Sequence, residues 1–330
     1  MTKIEAARAE YKDWCEAIGI DTLEKVNETL DAGKAIELIN LCEARQERQY
    51  AQVADQIFWR RNRCRIVMMS GPSSSGKTSS SLRIAQQARV LGLKPKVVEL
   101  DNYFVARDET PIDENGERDY EALEAMDVKF LNEQLTDLLA GKEVELPKFD
   151  FKAGHRVFEG NTLKLEAGDI LFMEGIHALN PALTPDIDRD RIFGVYISAL
   201  SALPGGEKDH GSTTDKRLLR RIVRDNRVRG ISPEDNILRW PSVRRGEVRN
   251  IFPYEENANI VFNSSTLYDV PLLKYYAEPL LCGVSESSPA YPKAQSLLHF
   301  LEMVHALKPA EIAAIPPTSI MREFIGGQTL

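Results

Sequence analysis

Gly71-Pro72-Ser73-Ser74-Ser75-Gly76-Lys77-Thr78 decides the fold. The stretch fits the pattern GxxxxGK[ST]. An apolar run, Arg65–Ser70 (RIVMMS), precedes it and reads as a buried parallel strand. A helix is expected over Thr78–Leu91, stopped by Gly92. A strand, a glycine-bounded loop and a helix, in that order, form a phosphate cradle. Gly71 and Gly76 permit backbone angles and close approaches that a side chain would block. The N–H groups of Ser73, Ser74 and Ser75, with the positive end of the helix, then face anionic oxygens. Lys77 supplies a point charge at the β- and γ-phosphates, Thr78 offers a hydroxyl to Mg²⁺, and Ser79 joins the nucleotide-side set. The bland alternative, a serine-rich surface loop, does not explain the flanking strand and helix.

Outward from the loop, a second strand is expected at Lys96–Leu100, with core strands at Ile170–Met173, Ile192–Ile197 and Asn259–Phe262. Strands alternating with helical segments predict an α/β fold of P-loop NTPase type, a parallel sheet with helices on both faces. Residues 143–168 alternate around turn residues and predict a small antiparallel excursion. Residues 1–63 form a helical leader packed on the core. Apolar positions recur there at helical spacing, at Ala32, Ala35, Ile36, Ile39 and Cys42, then at Tyr50, Val53, Ala54 and Ile57. The P-loop unit is expected over 64–285, with an arginine-rich lid at 213–230. A helix near 293–307 and a proline-containing tail fill 286–330.

A phosphate loop alone serves kinases, GTPases and motors. Asp101 follows the second strand directly, at the end of a parallel sheet that faces the ligand crevice. A carboxylate there can take a proton from an attacking hydroxyl or help hold Mg²⁺; a turn or cap aspartate is the plain alternative. Glu174 ends the run Ile-Leu-Phe-Met, where an acid is costly to bury without a cation or donors. It is expected to reach Mg²⁺, the alternative being a cap on a helix near Gly175. Arg217, Arg220, Arg221 and Arg224 share one helical face, with Leu218, Leu219, Ile222 and Val223 mainly on another. Charge runs are usually solvated. This one is nearly pure arginine, with Asp225 its only acid between 216 and 229, and arginine forks suit phosphate oxygens.

The net charge of −8 argues against wholesale binding to nucleic acid. The N-terminus lacks an apolar signal core, and no apolar run approaches the ~18 residues of a membrane helix. Four scattered cysteines form no CxxC pair, so neither a zinc site nor a redox motif is indicated. A cytoplasmic protein acting on a small molecule, with no membrane partner, is the expectation.

GPSSSGKTS, LDNYF, FDFKAGHR, MEGIHALNP and TTDKRLLRRIVRDNRVRG, in this order, resemble the uridine kinase and phosphoribulokinase family, most of all its bacterial uridine kinase-related nucleoside kinases. The likeness continues through WPSVRRGE (240–247) and SIMREFIGG (319–327) and covers nearly the whole chain. It implies ATP as donor and Mg²⁺ as cofactor. Asp101 corresponds to the general base, with Lys77, Arg221 and Arg224 as its catalytic company. Arg217 is a further lid arginine on the nucleotide. Asp119 lies where a carboxylate meets ribose hydroxyls. Tyr103, Phe149, His155 and Arg156 lie on the substrate side, and Thr78 and Glu174 at the metal. Members form dimers or tetramers, so the resemblance implies that a homo-oligomer is compatible, a leader that covers the usual contact surface being the alternative.

Two departures bear on the acceptor. Phe149 stands where uridine kinases carry tyrosine, which removes a hydroxyl able to select a pyrimidine. The segment 198–215 is glycine-rich, with Lys208 and His210 in place of the usual asparagine and arginine. The leading expectation is phosphoryl transfer from ATP to a nucleoside 5′-hydroxyl. A kinase of a sugar or sugar phosphate, using Lys152, His155 and Arg156, and a nucleotide-binding regulator without turnover are the alternatives.

Overall fold

The computed structural model describes residues 1–114, 116–150, 152–201 and 213–330; Lys208 and His210 lie outside the described residues. Five parallel strands form the central sheet: β1 (Ile66–Ser70), β2 (Lys94–Glu99), β7 (Asp169–Glu174), β8 (Ile192–Ser198) and β9 (Ile260–Asn263). Their spatial order is β2-β7-β1-β8-β9. The chain leaves β1 toward one edge and later returns to its other side. The crevice beyond the carboxyl ends of β1 and its neighbours is therefore the expected ligand position.

Strand β1 is buried on both faces, which explains its unbroken apolar run. Val67 and Met69 pack with Ile84, Ala85 and Ala88 of α4 (Lys77–Val90) and with Tyr50, Val53, Ala54 and Ile57 of α3 (Ala35–Trp59). Ile66 and Met68 face the other way, onto Leu131, Leu135 and Leu138 of α5 (Val128–Leu139). The sheet thus has helices on both faces. The excursion holds two antiparallel pairs. Strand β3 (Val144–Glu145) pairs with β6 (Thr162–Leu163), and β4 (Lys148–Asp150) with β5 (His155–Val157).

The remaining helices build a second core beside the sheet. They are α1 (Lys3–Ala17), α2 (Leu23–Asp31), α6 (Thr213–Arg229), α7 (Pro233–Asn250), α8 (Asp269–Cys282), α9 (Tyr291–Glu302) and the short α10 (Pro309–Ala313) and α11 (Arg322–Ile325). Helix α3 belongs to both cores: Ala35, Leu38, Ile39 and Cys42 join the helical one, and its C-terminal half joins the sheet. Two apolar positions read as helix-facing are not. Ala32 caps α2, which Gly33 ends at a φ of +72°, and Ile36 points to solvent on the first turn of α3. The helix expected to reach residue 307 stops at Glu302, and helical turns recur within the proline-containing tail.

Helix α6 corrects a simple polar-face reading of its arginines. Arg217 and Arg220 are as buried as Leu218 and Leu219. Each has a carboxylate waiting inside: Glu247 for Arg217 and Asp269 for Arg220. A buried charge is tolerated only with such a partner. Among the described residues, no helix is long and apolar enough to cross a membrane.

Candidate active site

The loop between β1 and α4 is shaped by contacts that its residue types require. A Cβ on Gly71 would run into the carbonyl of Ile197 at the end of β8, and one on Gly76 would strike the Ile320 side chain. Gly76 also sits at a φ of +84° and Ser74 at +57°, the left-handed conformations that curl the loop. The Ser75 N–H donates to Pro72 O at 3.2 Å, closing the turn. Lys77 Nζ lies 3.3 Å from the same carbonyl, folded back over the loop.

Parallel register brings the acids to this loop. Glu174, the last residue of β7, pairs with Met69 of β1 and Glu99 of β2. Thr78 Oγ1 donates to Glu174 Oε1 at 2.8 Å. Burial pushes the Glu174 carboxyl up to about 7; Lys77 and the Thr78 hydrogen bond pull it down, while Asp101 and Glu99 push it further up. Asp101 sits in the turn Leu100–Tyr103 that follows β2. The residue is exposed, yet protein crowds its carboxyl. That crowding raises its carboxyl above the usual aspartate range, against the pull of Lys77 and Arg229. Lys77, Asp101 and Glu174 therefore sense one another across a single cleft.

The arginine helix meets the loop from the other side. Arg221 Nη1 donates to Ser73 Oγ at 2.9 Å and its Nε to Asn236 Oδ1 at 3.1 Å. Arg224 pairs with Asp225 at 2.7 Å, and Arg221 and Arg229 approach the same buried carboxylate at 3.4 and 3.6 Å. Asp225, the only acid in the run, thus gathers three arginines at the loop end of α6. Arg217 is inside the wall: its guanidinium grips Glu247, and its Nη1 donates to Ser73 O at 3.0 Å.

On the acceptor side, Asn102 Oδ1 accepts the Phe149 N–H at 3.1 Å and ties the β4–β5 hairpin to the Asp101 turn. The Phe104 and Phe149 rings meet edge-on, centroids 6.1 Å apart. Arg156 donates to Asp127 Oδ2 at 2.7 Å and lies over the Phe130 ring at 5.0 Å. Asp127, Phe130, Arg156 and Phe158, with exposed His155, line a cleft of about 320 Å³. Asp119 Oδ1 accepts the Glu121 N–H at 3.0 Å, and its other oxygen lies 3.8 Å from Arg249. Tyr103 does not project into the cleft; it is buried, and its hydroxyl donates to Gln134.

Sequence reasoning overlooked four acids. Glu247 accepts the Ser73 N–H at 3.1 Å. Burial opposes its charge, but Arg217 and Arg244 hold its carboxyl below the usual range. Burial, with Glu247 nearby, raises Glu121 to about 7 against the pull of Arg221 and Lys77. Glu323, on the tail, accepts from Ser79. Glu99 stands beside Glu174. Glu323 follows Arg322 in MREF and Glu247 stands two residues after Arg245 in RRGE, and neither stretch marks its acid as a partner of the phosphate loop.

A family model described as phosphoribulokinase / uridine kinase matches residues 66–200, the span from β1 to just past β8. A uridine kinase of Macrococcus caseolyticus is 31% identical over 198 residues, covering 59% of this chain and 86% of the relative. The chain belongs to the phosphoribulokinase/uridine kinase family. A second family relative, a uridine kinase of Limosilactobacillus reuteri, is 29% identical over 175 residues, covering 53% of this chain and 71% of its own. Among solved structures, a D-glycerate 3-kinase from Cryptococcus neoformans covers 63% of this chain and 89% of its own, at 12% identity and a TM-score of 0.44. Membership makes the protein a P-loop small-molecule kinase, with ATP as the phosphoryl donor that the family implies.

Proposed function

We propose that this kinase transfers the γ-phosphoryl group of ATP to the 5′-hydroxyl of a nucleoside, of uridine or cytidine type. The observation that carries the reading is the charge of the acceptor side. Asp101, Glu99, Glu121 and Glu174 converge there; of the hairpin's cations, Arg156 is already paired with Asp127 and Lys148 with Glu159, while Lys152 is exposed at the turn. An anionic sugar phosphate would meet like charge, whereas a neutral polyol would not. Asp119 is available to ribose hydroxyls, and the Phe104–Phe149 pair offers an aromatic wall to a flat base.

Asp101 orients the acceptor hydroxyl and takes its proton as the bond to phosphorus forms. Its raised affinity for a proton suits that role. Lys77 neutralises charge at the β- and γ-phosphates, Arg221 and Arg224 do so from α6, and Arg217 keeps Ser73 in place. Thr78 and Glu174 fit one corner of a Mg²⁺ site, a hydroxyl and a carboxylate 2.8 Å apart. Among the described residues no cluster of three His, Cys, Asp or Glu could hold a metal. That suits an ion which takes one or two protein ligands and completes its shell with phosphates and water. When bound, Mg²⁺ would offset the charge of the β- and γ-oxygens. We read the chain as a leader (1–63), a kinase unit (64–285) with its lid at 213–230, and a C-terminal segment (286–330), acting in the cytoplasm.

The test is phosphate transfer from MgATP to a panel of nucleosides, sugars and sugar phosphates. Monophosphate formed from uridine or cytidine is expected. Turnover on a sugar phosphate alone overturns the nucleoside reading, and tight ATP binding with no acceptor overturns the enzymatic one.

A further inference from the structure

The C-terminal tail places a carboxylate on the phosphate loop. Ser79 is the third residue of α4, so its N–H is one of the first-turn donors that no helical carbonyl satisfies. Glu323 Oε2 accepts that N–H at 3.2 Å and the Ser79 hydroxyl at 2.5 Å. Gln328 Nε2 adds a bond to the same hydroxyl at 2.7 Å. The side chain of Ile320 lies on Gly76, where a Cβ would strike it. Tail residues 320, 323 and 328 thus all contact the end of the loop and the start of its helix.

These donors have another claimant. The first-turn N–H groups of a P-loop helix are the ones that cradle the α- and β-phosphates. A carboxylate and a phosphate oxygen cannot both accept the same N–H, and two anions in one small cradle repel. Glu323 also differs from Glu247, the carboxylate that accepts the Ser73 N–H. Glu247 is neutralised by Arg217 and Arg244 and fully buried, so it belongs to the frame. Glu323 is half-buried and makes no ion pair among the described residues.

The tail is held at its other end. Ile320, Met321 and Phe324 are buried in the helical core, and Arg322 donates to Ile312 O and Ile315 O. Arg227, on the exposed side of α6, donates to Phe324 O and Glu323 O, both at 3.2 Å. Turning the Glu323 side chain away from Ser79 leaves these anchors intact.

We propose that Glu323 is a carboxylate latch on the nucleotide site, one that the α-phosphate must displace from Ser79 before the triphosphate can seat. Arg227 sets the latch by holding the backbone of residues 323 and 324 against α6. This inference rests on reading the loop as a nucleotide site and not on the identity of the acceptor.

MgADP affinity, measured by calorimetry on the full chain, tests it, with a melting curve to show that each variant is folded. A latch closed about nine-tenths of the time weakens apparent affinity about tenfold. Glu323→Gln, which keeps the shape and removes the charge, is expected to bind MgADP about tenfold more tightly on that basis. Arg227→Ala is expected to shift affinity in the same direction by less. Unchanged or weaker binding by folded Glu323→Gln overturns the latch and makes Glu323 a helix cap. Failure of all three proteins to bind MgADP overturns the nucleotide reading itself, and the latch with it; a failed nucleoside panel with normal MgADP binding leaves the latch standing.

Discussion

Glu247 accepts the backbone N–H of Ser73 while both its oxygens are gripped by Arg217, so one buried ion pair fixes the bend of the phosphate loop. Both side chains are excluded from solvent. Glu247→Gln removes the charge and leaves Arg217 buried opposite a neutral amide. Breaking a buried pair from one side costs about 3–5 kcal/mol. Urea unfolding should show a loss of that order, whereas Asp119→Asn, which faces an exposed Arg249, should lose under about 1 kcal/mol. Equal effects would mean that the buried pair contributes nothing special.

Asp101→Asn keeps the size of the side chain and removes its basicity. Turnover with the preferred acceptor should fall by about 10²-fold or more, the usual scale of general acid–base help. MgADP affinity should stay within a few-fold. A variant with wild-type turnover would show that Asp101 is only a turn residue.

Glu174 and Glu121 both release their protons near pH 7 in the fold, each pushed there by burial, against a reference value of 4.5. Between those values the folded chain binds more protons than the unfolded one, so these two groups make stability fall as pH rises from 4.5 to 7. Their stabilising share is complete below 4.5 and gone above about 7. Glu121→Gln should flatten that decline in urea titrations across the window. An unaltered slope would reassign the titration to other groups.

The same proton affects catalysis in the opposite sense. A metal-binding role for Glu174 needs the carboxylate, and a proton competes with the ion for the empty site, so Mg²⁺ affinity, and with it turnover at limiting Mg²⁺, should drop as pH falls through about 7. Glu174→Gln should lose that limb of the profile together with most of its Mg²⁺-dependent rate. Retention of the limb in the variant would place the titrating group elsewhere.

What could be read from the sequence was what repeats at short range. The loop, its flanking strand and helix and the alternation of strands with helices are local patterns, and they gave the sheet correctly. Ile36 was misjudged because helical spacing alone cannot say which stripe faces the core. Glu247 and Glu323 were missed for a different reason. Each reaches the loop from far along the chain, from 174 and 244 residues away, and nothing in its own neighbourhood marks an acid for that destination. The arginines of α6 were legible as a cluster. Their division into buried struts (Arg217, Arg220) and loop-facing donors (Arg221) depended on where Glu247 and Asp269 lay.

Helix α3 spends its first turns among the accessory helices and its last against the sheet that carries the phosphate loop. A rod shared in this way works as a splint. Melting either half strips the apolar stripe from part of the same helix, so loss of order on one side propagates to the other. Denaturation should therefore proceed as a single transition, and trimming the chain to the span matched by the family model would remove one wall of the nucleotide-binding sheet's core along with the leader.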